Sequence, residues 1–388
     1  MKDTYISEAV KYIGADDTTL DLFESQYQIP NGVSYNSYVI LDEKVAVMDT
    51  IDERKTDEWF ANLENVLNGR TVDYLVISHL EPDHAANIKR AADKFPQAQL
   101  VLSAKAKAML PQFFDIAHLE ERCLVVKEGD TLELGIHKLH FVMAPMVHWP
   151  EVMVEYEETE KILFSADGFG KFGALSAEEE WTDEARRYFI NIVGKYGVQV
   201  QTLLKKAAAL DIQTICPLHG PVLKENLGFY IGKYLTWSSY EPEEDGVIVA
   251  CASIHGNTKA AAEKMVEVLR ANGASKVVFM DLTRDDMAEA VADAFRYGKI
   301  ILAAASYDAG VFPPMEDFLH RLVHKNLQKR TFGLIENGSW APCAAKGMKG
   351  ILEGMKEVNV CENVVSIKST MKDTDVAKME ELAKEILA

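Results

Sequence analysis

Tyr74-Leu75-Val76-Ile77-Ser78-His79-Leu80-Glu81-Pro82-Asp83-His84 decides how this chain is read. Its first four residues are an apolar run that reads as a buried strand. The residues that follow hold four potential metal ligands, His79, Glu81, Asp83 and His84, within six positions. These side chains sit on a loop at the carboxyl end of a strand, where open α/β folds place their chemistry. Glu81 stands where a zinc site would more naturally use another imidazole. Mixed carboxylate and imidazole ligation suits iron or manganese at least as well as zinc.

A lone His-x-Glu after a strand is also an ordinary solvated loop, but the pattern recurs. Val142-Met143-Ala144-Pro145-Met146-Val147 leads to His148 and Pro150. Ile162-Leu163-Phe164-Ser165-Ala166 leads to Asp167 and Gly168. Thr214-Ile215-Cys216-Pro217-Leu218 leads to His219 and Gly220. Each is an apolar run, then a ligand-type residue, then a Gly or Pro turn. Together they supply seven ligand-type side chains.

These motifs resemble the metallo-β-lactamase fold, and more closely its di-iron branch, the flavodiiron proteins. The hydrolase motif of that fold reads His-x-His-x-Asp-His, and here Glu81 takes the second ligand position, as in the flavodiiron branch. The resemblance implies an N-terminal αβ/βα sandwich with one iron on His79, Glu81 and His148. It implies a second iron on Asp83, His84 and His219, with Asp167 bridging the two. The family often has a tyrosine near the pocket between the last two ligand segments. Tyr196 lies there and reads equally as a proton donor or a packed core residue.

With 388 residues, the chain is too long for one ordinary core, so two domains are expected. Its 60 acidic against 41 basic residues give a net charge of −19. That balance argues against nucleic acid, whose phosphates require a basic face. No apolar run approaches the roughly 18 residues of a membrane helix. Met1-Lys2-Asp3-Thr4 lacks the apolar core of a signal peptide. A cytoplasmic protein with no membrane partner is expected. The five cysteines, at 123, 216, 251, 343 and 361, form no Cys-x-x-Cys pair. That spacing argues against a disulfide framework and a thiolate metal site, and excludes a fused rubredoxin module.

The stretch 238–246 is polar, acidic and turn-rich, and reads as a short linker. Domains are therefore expected over 1–245 and 246–388. After the linker, strands begin at Val247, Lys276, Lys299, Thr331 and Val364. Helices are predicted over 259–271, 284–297, 313–324, 343–355 and 374–387. Such alternation implies a doubly wound parallel five-stranded sheet.

Ser253-Ile254-His255-Gly256-Asn257-Thr258 joins the first of these strands to its helix. Small hydroxyl residues and a glycine there let backbone N–H groups and the helix N-terminus hold a phosphate. The loop lacks the lysine of a nucleotide P-loop and the Gly-x-Gly-x-x-Gly pattern. A single phosphate, as in FMN, suits it better than a triphosphate, and a capped helix without ligand suits it as well. Ser306-Tyr307-Asp308-Ala309-Gly310 and Asn337-Gly338-Ser339-Trp340 follow the third and fourth strands. In a sheet of order 2-1-3-4-5 both loops flank the switch point, and Tyr307 and Trp340 could border an isoalloxazine ring. Three such loops resemble flavodoxin, and flavodiiron proteins carry a flavodoxin-like C-terminal domain. His255 departs from the commoner Trp or Thr at its position.

The resemblance implies reduction of O2 to water, of NO to N2O, or both, with electrons passed through FMN to iron. A separate donor is expected, such as rubredoxin or a reduced deazaflavin. The family also implies a head-to-tail homodimer, or a dimer of such dimers. The rival readings are a metal-dependent hydrolase tethered to a flavodoxin-like domain and a plain electron carrier with a degenerate metal site. Glu81 discriminates against the first, and the intact set of seven against the second. His118, His137, His140, His320 and His324 lack a ligand context. Glu178-Glu179-Glu180 reads as a solvated face or a helix N-terminus.

Overall fold

Strand and helix periods alternate along the chain as the apolar runs require, and a computed structural model describes residues 6–388. Met1-Lys2-Asp3-Thr4 lies outside the described residues. The chain divides into two compact units, each with its own core. One is built from the chain up to Phe189 together with Val198–Leu235, and the other from Ile190–Gly197 together with Thr236–Ala388.

The first unit is a sandwich of two sheets. One runs Val10–Tyr12, Tyr38–Leu41, Val45–Met48, Tyr74–Ile77, Gln99–Ser103, Cys123–Val126 in spatial order. The other runs Thr131–Glu133, Lys138–Met143, Met153–Glu157, Ile162–Phe164, Thr214–Cys216. Their inner faces share one apolar core: Ile40, Met48, Val76 and Val101 meet Leu139, Phe141, Met153 and Phe164. Tyr74–Ile77 pairs in parallel with a neighbour on each side. A strand so placed is covered on both faces, which accounts for its unbroken apolar run. Outside the first sheet, Trp59 and Leu63 of helix Thr56–Leu67 cover Val47, Leu75 and Leu100.

In the second unit the five long strands take the order 2-1-3-4-5, all parallel. Helices Asn257–Ala271 and Asp373–Leu387 pack Ala262, Met265, Leu382 and Ile386 against Val249, Ile301 and Ile335 on one face. Helices Met287–Arg296, Pro313–His324 and Ala344–Leu352 meet the sheet as well. The expected linker is shorter than read. Ser238 ends helix Leu227–Ser238, and Glu244, Asp245 and Gly246 already belong to strand Glu244–Ala252. Arg296 pairs with Glu244 and Ser275 with Asp245, so these acidic residues are tied to neighbours along a strand. The last strand starts at Val358 rather than Val364, because a register irregularity at 361–363 splits its apolar pattern. The helix expected from Arg284 begins at Met287, where Asp286 accepts the Ala288 N–H at 2.9 Å as its N-cap.

Arg330 opens the fourth long strand at 2% exposure. Its guanidinium donates to the carbonyls of Ala294, Phe295, Tyr240, Gln328 and Lys329. Burial lowers its pKa to about 10.

Candidate functional site

The loop after Tyr74–Ile77 is shaped by its proline. Pro82 opens the short helix Pro82–Ala85, and the residue before a proline is pushed out of the helical region. Glu81 is accordingly extended, at φ −60° and ψ 137°, while Asp83 and His84 lie inside the helical turn. The backbone thus aims Glu81 one way and Asp83 with His84 another. Strands Ile162–Phe164 and Thr214–Cys216 run parallel with Phe164 opposite Cys216. Asp167 and His219 each lie three residues beyond that pair, so equal register carries them to the same height. A hydrogen bond from Leu218 N to Ala166 O at 2.9 Å locks the two turns together.

The seven candidate side chains fall into two groups, within each of which the donor atoms lie within 4.8 Å of one another. His79, Glu81, His148 and Asp167 form the first, and Asp83, His84 and His219 the second. Asp167 faces both. Its Oδ2 stands 3.3 Å from Nε2 of His79 and 3.3 Å from Nε2 of His148. Its Oδ1 stands 3.2 Å from Nε2 of His84 and 4.0 Å from Nε2 of His219. Glu81 Oε2 closes the first group at 2.9 Å from His148 Nε2, and Asp83 Oδ2 the second at 3.2 Å from His219 Nε2.

Burial alone would lower the histidine pKa values, yet the surrounding carboxylates outweigh it. His79 is raised by Glu151 and Glu81, and His84 by Asp83 and Asp167. His148 is raised to about 9 by Asp167 and Glu81. Burial pushes the other way on Asp167, but His148 and His84 hold it well below the carboxylate range. The pocket therefore attracts positive charge. Both Asp83 oxygens, both Asp167 oxygens, both His84 nitrogens and His219 Nε2 are buried without a hydrogen-bond partner. Buried polar atoms so rarely go unsatisfied that a bound cation is the fitting complement. Four imidazoles and three carboxylates match a pair of first-row transition metals better than an all-oxygen cation site.

Further carboxylates and carbonyls set the imidazoles, and no local sequence pattern points to them. Glu151 Oε1 accepts from His79 Nδ1 at 2.8 Å and from Leu80 N at 3.0 Å. Ser34 O accepts from His219 Nδ1 at 2.7 Å. Each contact leaves Nε2 turned inward. Asp49 accepts Ser78 N at 2.8 Å and Ser78 Oγ at 2.6 Å, and Glu155 lies 3.0 Å from the same hydroxyl. Burial, then the Asp49 charge, raises the Glu155 pKa well above the usual carboxylate range. Around the pocket, Tyr188 and Phe23 place their ring centroids 5.4 and 5.5 Å from that of His219. Glu24 follows Phe23 in a tight turn at φ 47°. Its carboxyl is pushed up to about 7, by partial desolvation first and by the Glu81 charge next. Tyr196 is in neither group; it ends the turn Gly194–Tyr196, in the other unit. Glu179 departs from a solvated acidic face, since it pairs with buried Lys171 and with Asn31.

Glu151→Ala should free the His79 ring and weaken metal retention by about 10- to 100-fold. Dialysis against a chelator, followed by metal analysis, measures this; unchanged retention would show that the ring is held by packing alone.

The second unit presents its own constellation. Ala252 pairs with Ala304, and Ala305 with Asn337, so the loops from Ser253, Ser306 and Gly338 leave adjacent strands at one sheet edge. Gly256, at φ 92°, precedes helix Asn257–Ala271, and its N–H reaches Ser253 Oγ at 3.1 Å. A side chain at that φ would be strained. Asp308 and Ala309, at φ 48° and 59°, form the two-residue turn pairing Tyr307 with Gly310. Ser306 Oγ accepts from Cys343 N at 2.8 Å and Ala344 N at 3.2 Å, tying two of the loops together. Asn337 bonds the backbone of Ser369 with both ends of its amide, and Ser339 Oγ meets Ser369 Oγ. Ile254, Tyr307 and Trp340 are exposed, the last at 89%. Large apolar groups left in water on adjoining loops mark a binding edge. His255, Asn257 and Gly256 are exposed there, whereas Thr258 is buried.

Comparison with known proteins agrees with this architecture. Residues 33–220 match a family model described as ODP family beta lactamase. The nitric oxide reductase of Moorella thermoacetica is 26% identical over 396 residues, covering 99% of this chain and 98% of its own. The anaerobic nitric oxide reductase flavorubredoxin of Aliivibrio fischeri is 27% identical over 348 residues, covering 87% of this chain and 70% of its own. The structure of rubredoxin oxygen:oxidoreductase from Desulfovibrio gigas superposes with a TM-score of 0.91 at 25% identity, over 99% of this chain and 97% of that one.

Proposed function

Because this chain belongs to the flavodiiron protein family, we propose that it is an oxidoreductase reducing O2 to water, NO to N2O, or both. The observation that carries the reading is Asp167, whose two buried oxygens face two separate groups of imidazole and carboxylate donors. His79, Glu81 and His148 would hold one iron, Asp83, His84 and His219 the other, and Asp167 would bridge them. FMN would sit at the edge formed by 253–258, 306–310 and 337–340. When bound, two irons would supply a place for a diatomic gas and the electrons to reduce it, replenished through the flavin.

The chain's own contribution is placement. Glu151 and Ser34 fix two imidazoles, Asp49 and Glu155 anchor the ligand loop through Ser78, and Tyr188 and Phe23 wall off water. Domain limits at 1–245 and 246–388 would put one cofactor in each part. Relatives spanning nearly the whole chain are reductases of NO and O2, which supports this reading over a metal-dependent hydrolase. No helix among the described residues is long and apolar enough to cross a membrane. A separate donor, a rubredoxin or a reduced deazaflavin, would feed the flavin.

Metal analysis with a visible spectrum tests the proposal: about two irons and one FMN per chain, with turnover of O2 or NO by the reduced protein, is expected. Two zincs without flavin would end it. Asn257→Ala combined with Thr258→Ala should weaken FMN binding by about tenfold while iron stays, since the phosphate loses helix-end partners. Loss of iron with flavin retained would contradict the assignment of cofactors to units.

The working assembly would be a head-to-tail homodimer, alone or paired as a dimer of dimers, with the flavin of one copy serving the irons of the other. Mixed dimers of a His84→Ala chain and a phosphate-loop variant should regain activity, since one intact pair remains. Confirmed mixed dimers without recovery would mean that electrons pass within one chain.

A further inference from the structure

Beside the turns that carry His148 and Asp167 lies an apolar cavity of ≈ 20 Å³, counted as space open to the centre of a water-sized sphere. About 10–15 Å³ by that measure suffices for one water, so one diatomic molecule also fits. Val154 and Leu163 of the second sheet wall it on one side, and Val200 and Leu204 of helix Gly197–Ala207 on the other. At its inner end stand Val147, next to His148, and Gly168 with Phe169, next to Asp167; all three are buried. At its outer end Val142, Leu203, Ala207 and Leu210 are only half-buried. The cavity thus reaches from near the surface to the backbone of two turns that carry candidate ligands.

Its chemistry favours a gas over water. The polar groups at its wall are already paired: Ser165 Oγ donates to Gly168 O at 2.6 Å, and the Tyr234 hydroxyl accepts from Phe169 N. A water needs two to four polar partners, and apolar cavities without them stay dry and take up xenon or small apolar molecules. O2 and NO are neutral, weakly polar and of that size. A void under helix Thr56–Leu67, ≈ 10 Å³ by the same measure, is lined by no residue flanking a candidate ligand and supplies an internal comparison.

We propose that this cavity is a gas-binding site that holds the diatomic substrate against the turns carrying His148 and Asp167 and opens outward near Ala207. The choice of O2 and NO rests on the function proposed above; the cavity's affinity for an apolar gas does not.

Xenon tests the two separately. Crystals of the protein pressurised with xenon should show it between sheet residues Val154 and Leu163 and helix residues Val200 and Leu204, and not in the smaller void. Val200→Phe fills the cavity and Ala207→Phe covers its outer end. Each should abolish the xenon site and raise the KM for the gas by about fivefold, with kcat within about twofold, because no candidate ligand is touched. Absence of xenon from the unmodified cavity would overturn the proposal, as would a parental KM in both variants once they are shown to be folded. A protein that binds xenon here but reduces neither gas would keep the cavity as a gas site and remove the proposed function instead.

Discussion

Asp167→Ala is expected to leave the protein without either metal. Asp167 alone among the seven candidates turns one oxygen toward each group. It is 1% exposed, with Oδ2 toward His79 and His148 and Oδ1 toward His84 and His219. Its removal takes one donor from each metal and the charge set between them. It also leaves four imidazoles with two carboxylates, so the pocket's pull on cations falls. Losing a supporting partner of a ligand already costs about 10- to 100-fold in affinity, and losing a shared ligand should exceed that for each metal. Iron per chain, measured after desalting, should drop to near background, and gas turnover with it. Unchanged far-UV dichroism and flavin content would show that the fold survives. Retention of both metals by a folded variant would mean that Asp167 is not a ligand.

Arg330→Met should strongly destabilise the second unit. The guanidinium donates to five backbone carbonyls, two of them, Ala294 and Phe295, near the end of helix Met287–Arg296. A planar fork with five N–H groups can serve such a set, and a lysine cannot. Methionine fills much of the volume but leaves these acceptors short of donors. Relief from burying a cation opposes this, since its hydrogen-bond acceptors among the described residues are carbonyls rather than carboxylates. The unsatisfied carbonyls should win, for a net loss of about 3–5 kcal/mol. Hydrogen exchange reads this locally: peptides covering Arg330–Asn337 should lose protection while those covering Tyr74–Ile77 keep it. Parental exchange rates across both would remove the claim, and Arg330→Lys should fall between.

The seven candidate ligands were legible because each follows an apolar strand, and strand ends are where side chains converge. The supporting residues were not. Glu155 meets Ser78 across 77 positions, and Glu151 meets His79 across 72, where the two sheets come together, a meeting that no local pattern encodes. Glu155 also sits within a strand whose residues are all buried, where a carboxyl is the least expected side chain. In the second unit the parallel, doubly wound architecture followed from alternation, and the order 2-1-3-4-5 from the resemblance to flavodoxin. Its edges did not, because the acidic start of strand Glu244–Ala252 reads as loop, and the irregularity near Cys361 hides the start of the last strand. Asn337 and Ser306 stood out as flavin contacts, yet their side chains mainly tie loops to one another.

The register that sets Asp167 level with His219 also orders events during synthesis. Four of the seven candidate ligands leave the ribosome together at 79–84, but the last follows only when Thr214–Cys216 can align beside Ile162–Phe164. All seven precede the first long strand of the other unit, Glu244–Ala252. Every candidate ligand is therefore synthesised before the first long strand of the second unit, so assembly of the pocket need not wait for that sheet.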